Sequence, residues 1–155
     1  MTKVRPLADP DAEDETDATD IRALGARARR YLESFRWIGR VVEEYAGLTV
    51  APKLGVFLFR IEPSGPEIDE WLWVVVGDLP PAYLVIDEAP NAASALDAYV
   101  YEMQQWVDAV QAAKPVDAVI PVNAEPTREH AHMLQKRLTF IRDRILNEYA
   151  DDLKA

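Results

Sequence analysis

From Asp17 to Tyr45 the apolar residues fall at Ile21, Leu24, Ala28, Tyr31, Phe35, Ile38, Val42 and Tyr45, in steps alternating between three and four. That repeat is one face of an α-helix, and Leu32 and Val41 widen the stripe. It predicts a first helix of about seven turns. Asp17 or Asp20 is placed to cap its start, and Gly47 to take the left-handed position past its end. The period then changes. Residues 55–61 (GVFLFRI), 71–76 (WLWVVV) and 82–86 (AYLVI) are dense in β-branched and aromatic residues and are bounded by turn residues. They predict three strands. Residues 71–76 are apolar on both alternating faces, which predicts the central strand. The links EPSGPEIDE and GDLPPA are too short for parallel crossovers, so the strands pair antiparallel. Residues 118–122 (AVIPV) are a candidate short edge strand, because Pro121 cannot donate to an inner ladder.

Helical spacing returns over residues 91–113, with Leu96, Val100, Met103, Val107 and Val110 on one face and Tyr99 and Trp106 on its flank. Asn91 is the expected N-cap and Pro115 the stop. A third helix is expected over residues 126–152, on a stripe of Ala131, Leu134, Leu138, Ile141, Ile145 and Tyr149, with Pro126 at its first position. The order α-β-β-β-α-α predicts an α+β domain in which three helices pack with a three- to four-stranded antiparallel sheet. A first helix of about 27 residues is about 40 Å long. It overhangs strands of about 20 Å. The first and third helices are therefore expected to pair, and a stripe left over would make a homodimer.

Composition narrows the class. The chain has 155 residues, of which 49% are hydrophobic, enough for one domain with a core of its own. There is no cysteine, which excludes disulfides, thiolate metal sites and cysteine nucleophiles. The longest apolar run is too short for a membrane span, and no leader-like apolar segment opens the chain, so a cytoplasmic protein is expected. The net charge of −10 argues against nucleic acid as a partner, since phosphate contacts require excess positive charge. That charge is unevenly distributed. Residues 1–20 hold seven acids and two bases, residues 21–60 hold eight bases and three acids, and residues 61–127 hold twelve acids and one base. Residues 1–16, acidic and without periodicity, are expected to be a disordered tail.

Candidate chemistry is sparse. Among nucleotide, hydrolase and metalloprotease motifs, none is present, and no metal or cofactor is expected. Glu125, Glu129 and His132 share a helical face that could meet a divalent metal, but acids in a first turn also serve the helix dipole. His130 and His132, two apart and so about 200° around the helix from each other, are unable to chelate together. Asp78, at the end of the second strand, is either a turn residue or a carboxylate serving as general base or ligand; Asp87 and Glu88 belong to the far end of the same hairpin. Trp71, Trp73, Trp106 and Tyr83, with Phe57 and Phe59, are core or the walls of a pocket. If all helices cover one sheet face, the other is left as an apolar patch or groove. Arg22, Arg29 and Arg36 recur every seven residues and form either a partner-binding ridge or a neutralised face.

The stretch from Trp71 to Tyr83, WLWVVVGDLPPAY, resembles a signature of uncharacterised bacterial small-protein families of unknown function, in which a tryptophan-rich strand is followed by a G-D-L-P-x-x-Y turn and a tryptophan-bearing helix. The likeness extends in pattern over residues 50–145 and is specific only in these thirteen residues. It implies that the turn is a feature of the family and carries over no activity. Two readings follow. One is a non-catalytic protein-interaction module, inhibitor- or immunity-like, that engages a basic partner or a second copy through its acidic surface. The other is a small-ligand-binding protein, or a carboxylate-based enzyme, with an aromatic pocket beside Asp78 and Tyr83.

Overall fold

The computed structural model describes residues 4–8, 14–63, 65–66, 69–87, 89–122 and 124–154. The chain folds as β1 (Arg5–Pro6), α1 (Glu15–Glu33), β2 (Ile38–Val50), β3 (Leu54–Pro63), β4 (Trp71–Gly77), β5 (Ala82–Val85), α2 (Ala92–Gln111) and α3 (Arg128–Phe140). A π-helical turn (Ile141–Ile145), a 3₁₀ turn (Leu146–Tyr149) and α4 (Ala150–Leu153) complete it. The five strands form one antiparallel sheet in chain order, so the class is α+β as the strand pattern implies.

The sheet is covered on both sides. Along β3, Leu54, Val56 and Leu58 face one layer, while Phe57, Phe59 and Ile61 face the other. On β4 the same alternation sends Trp73 and Val75 one way and Leu72, Val74 and Val76 the other. Leu96, Tyr99, Met103 and Val107 of α2, with Leu134 and Leu138 of α3, fill the first side. Ile21, Leu24, Ala28 and Leu32 of α1 fill the second. The expected open apolar face is therefore absent among the described residues, because the helices divide between the faces. For the same reason α1 and α3 do not pair. They lie on opposite sides of the sheet, and α3 packs along α2 instead. Both apolar stripes are buried within the chain, which removes the reason for expecting a homodimer. β4 is an inner strand, as its two apolar faces require, but the middle position belongs to β3.

The largest departure from the sequence pattern is at the first helix, which ends at Glu33 rather than Tyr45. The Ser34 hydroxyl donates to the Tyr31 carbonyl at 2.6 Å, and the Ser34 N–H returns to Arg30. The chain then leaves as β2, whose Val41, Val42, Thr49 and Val50 favour extended backbone. β2 pairs with β3 through register shifts on both sides of Val41 and again after Ala46. The residues that carry the helical spacing do not share one face, Ile38 packing on the α1 side and Tyr45 on the other, so a strand apolar on both faces supplies apolar residues at helical intervals. Gly47 consequently sits inside a strand, where a Cβ would meet the Cβ of Ala92 at 2.8 Å. Its missing side chain lets the start of α2 lie directly on β2.

Other boundaries also move. Asp14, not Asp17 or Asp20, caps α1, its carboxylate accepting from the Asp17 N–H at 2.7 Å. Thr127 caps α3, accepting from the His130 N–H, so Pro126 precedes the cap instead of opening the helix. Residues 118–122 are turn and loop, not a strand. Within the expected acidic tail, Arg5 and Pro6 pair with Ala46 and Tyr45 of β2, and the Leu7 N–H reaches the Glu44 carbonyl. Asp9, Asp11 and Glu13 lie outside the described residues. Among the described residues no helix is long and apolar enough to cross a membrane.

A candidate binding groove at the GDLPP turn

The turn after β4 is where every layer of the molecule meets. Gly77 has φ +145°, a conformation L side chains rarely adopt, and a Cβ there would lie 2.1 Å from the Lys53 carbonyl oxygen. That closeness lets the Asp78 N–H donate to the same carbonyl at 2.9 Å, tying the turn to the β2–β3 connection. From α1, the Arg27 guanidinium donates to the Gly77 carbonyl at 3.2 Å. From α2, the Tyr99 hydroxyl donates to the Pro80 carbonyl at 2.6 Å. From α3, Arg137 donates to the Asp78 carboxylate at 3.1 Å. A glycine for the close approach, an aspartate for the arginine and two prolines for the rigid return explain why the turn is spelled as it is.

Two cavities flank the Arg137–Asp78 pair. The first, about 230 Å³, is walled by Val50, Leu54, Leu79, Phe140, Ile141 and Ile145, with Lys53, Lys136 and Arg137 at its rim. The second, about 170 Å³, lies between Leu79, Trp106, His130, Met133 and Leu134. Asp78, Leu79 and Arg137 belong to both, so the two cavities adjoin at the ion pair and together make up the groove at the turn. His130, Met133, Arg137 and Phe140, spaced three, four and three, run along its α3 side. Met133 and Phe140 are 44% and 49% exposed, which for large apolar side chains beside a cavity marks them as uncovered walls. The first cavity opens where α3 gives way to the π turn, the kind of local helix distortion that recurs at functional sites. Lys53 and Lys136 make no ion pair or side-chain hydrogen bond among the described residues.

The aromatic residues singled out in the sequence are dispersed. Trp73 is buried in the core, its indole N–H donating to the Ala89 carbonyl at 2.7 Å. Trp71 is half-buried beside Tyr45, at the other end of β4 from Asp78. Tyr83 faces the α1 side, with its ring 5.4 Å from Phe35 and 5.3 Å from Trp37. It lines a separate cavity with Tyr31, Ile120 and Pro121. Only Asp78 and Trp106 are brought together at the groove. A strand's alternation decides this: Tyr83 pairs with Val74, and both point away from Trp73.

The arginine row is equally divided. Arg22 donates to the Ala8 carbonyl, Arg29 pairs with Glu33 and Glu44, and Arg36 is exposed in the link to β2. The His130 ring sits 2.9 Å from the Glu125 carbonyl oxygen, and among the described residues no three of the His, Asp and Glu side chains group as metal ligands would. Asp87 is exposed at the far end of the hairpin, and Glu88 lies outside the described residues. Sequence reasoning missed Lys53, Lys136, Arg137 and Phe140. The legible signal was Met133 and Phe140, two apolar residues seven apart and off the buried stripe of α3. No family model, curated protein or solved structure matches the chain.

Proposed function

We propose that this chain is a small-ligand-binding protein whose site is the groove at the GDLPP turn. The observation that carries this reading is an apolar-walled groove bridged by Arg137 and Asp78 and flanked by uncovered apolar side chains. A concave apolar site with a few convergent polar groups is the usual form of a small-molecule site. The turn is also the stretch that resembles the bacterial families with the tryptophan strand and G-D-L-P turn. Leu79, shared by both cavities, offers the test. Native mass spectrometry of protein purified under gentle conditions should reveal a retained small molecule, and Leu79→Trp, which fills the groove from its wall, should release it with little change in melting temperature. Retention unaffected by Leu79→Trp would place the ligand elsewhere and end the proposal.

One observation favours a second reading, an interaction module for a basic partner. On α2, Tyr101 is 64% exposed and shares its face with the exposed Asp97 and Asp108. An aromatic anchor among carboxylates suits a cationic surface. Affinity capture should then recover a partner that Tyr101→Ala releases and high salt weakens; a partner indifferent to both would remove the acidic-surface reading.

A further inference from the structure

Resting on the reading of the groove as a ligand site, we infer that its ligand is a small amphipathic anion: an apolar body in the cavity beside the π turn, ending in one carboxylate-type head that takes Arg137 from Asp78. The charge balance of the site points to the head group. The rim of the first cavity holds Lys53, Lys136 and Arg137 against the single carboxylate of Asp78, in a chain whose net charge is −10. Cations gathered at an apolar opening focus a positive field on whatever enters it. Two of the three have no partner among the described residues, so the groove has capacity for an anion beyond the one it already contains.

The arrangement of the pair points to displacement. The Asp78 side chain is 74% exposed while that of Arg137 is 33% exposed, so the carboxylate is the member that can rotate into water at small cost. Arg137 is held from behind, its other terminal nitrogen donating to the Met133 carbonyl at 3.1 Å. The guanidinium thus stays at the groove whether Asp78 or a ligand occupies it, ready for a two-pronged carboxylate contact. The walls describe the rest of the molecule. Val50, Leu54, Leu79, Ile141 and Ile145 offer no polar side-chain atom, so a sugar or other polar body would lose its hydration without compensation. An apolar chain or ring would not. A cavity of about 230 Å³ lies below the usual range for a drug-sized ligand, which restricts the body to a short chain or a single ring.

Octanoate, 1-octanol and octylammonium share one apolar body and differ in head-group charge. Titrated calorimetrically into the full chain, octanoate should bind saturably at one site, and octylammonium at least about tenfold more weakly. Lys53→Ala with Lys136→Ala should weaken octanoate about tenfold, and Asp78→Asn, which removes the competitor for Arg137, should strengthen it severalfold. All three are changes on exposed positions, and a melting curve of each confirms that it is folded. Equal binding of the three probes, abolished by Leu79→Trp, would overturn the anionic head while leaving the ligand-binding reading intact. Octanoate binding indifferent to Leu79→Trp and to the lysine changes would be surface adsorption and would overturn the inference. Weaker binding in Asp78→Asn would overturn displacement. Absence of binding by every probe, in a protein that also retains no small molecule on purification, would sink both readings together.

Discussion

Gly77 shows how one residue sets the geometry of the site. Its φ of +145° and the Lys53 carbonyl 2.1 Å from where a Cβ would stand leave no room for any side chain. Gly77→Ala should cost about 2 kcal/mol or more in urea unfolding, because backbone conformation and contact are both violated. Gly65, with nothing within 4 Å, is the control, and Gly65→Ala should be close to neutral. A second residue-scale expectation concerns alkaline pH. Burial, with the Tyr83 phenol nearby, pushes the Tyr31 phenol up to about 12, and burial also raises Tyr99. Tyrosines of the unfolded chain ionise near about 10. Above that pH the unfolded chain has released protons that the folded chain still holds, so stability is whole below about pH 10 and falls as pH rises toward about 12. Urea midpoints across that window should decline, and Tyr31→Phe should flatten part of the decline. That the GDLPP segment is a turn was legible from its composition. That Arg27, Tyr99, Lys53 and Arg137 all converge on it was not, since they come from four separate places in the chain.

At the scale of elements, the cap of α2 was legible, whereas α1 is capped by Asp14 and α3 by Thr127 rather than opening at the expected residues. Asn91 is the N-cap of α2 as its position before the apolar stripe implies, accepting from the Ser94 N–H at 2.8 Å while Ser94 closes the capping box. Its amide also donates to the Asp152 carbonyl at 2.9 Å, fastening the C-terminal turns to α2. Asn91→Ala removes both contacts from a buried position and should cost about 2–3 kcal/mol. Asn91→Ser preserves a good cap and loses only the fastening, about 1–2 kcal/mol. In both variants hydrogen exchange of residues 146–153 should accelerate, and unchanged exchange there would show that the fastening is not what holds the segment. Helical spacing overstates the first helix because β2, apolar on both faces, also places apolar residues three and four apart. Its β-branched residues, Val41, Val42, Thr49 and Val50, were the signal against that reading. The third helix keeps its stripe through Ile141 and Ile145 although the backbone changes from α to π to 3₁₀, since burial acts on the side chains and tolerates any turn that delivers them.

At the scale of the whole molecule, one sheet separates two apolar cores, each closed by its own helices. Leu24 of α1 and Leu96 of α2 are buried on opposite sides and share no core cluster. Leu24→Ala and Leu96→Ala should each cost about 2–5 kcal/mol and combine additively. Because β3 and β4 contribute alternate residues to both cores, the two should melt together. Trp37 reports the α1 side, and Trp73 and Trp106 report the other. In Trp37→Phe, whose remaining tryptophans report the α2 side, fluorescence should therefore give the same unfolding midpoint as circular dichroism of that variant; separated midpoints would mean that the faces unfold independently.

What the residues determined unaided was local. A strand of β-branched and aromatic residues, a helical stripe ended by proline and an asparagine before a helix each depend on neighbours a few positions away, and these kept their identity in the fold. Only the tertiary structure decided which face of the sheet each helix covers. A stripe specifies that it must be buried, not against what, and the alternation of β3 and β4 offers two equivalent faces. That choice placed Tyr83 on one side and Trp73 on the other, and dissolved the aromatic pocket expected beside Asp78. It also brought Lys53, Lys136 and Arg137 around the GDLPP turn, where cations distant in a −10 chain become the rim of one groove.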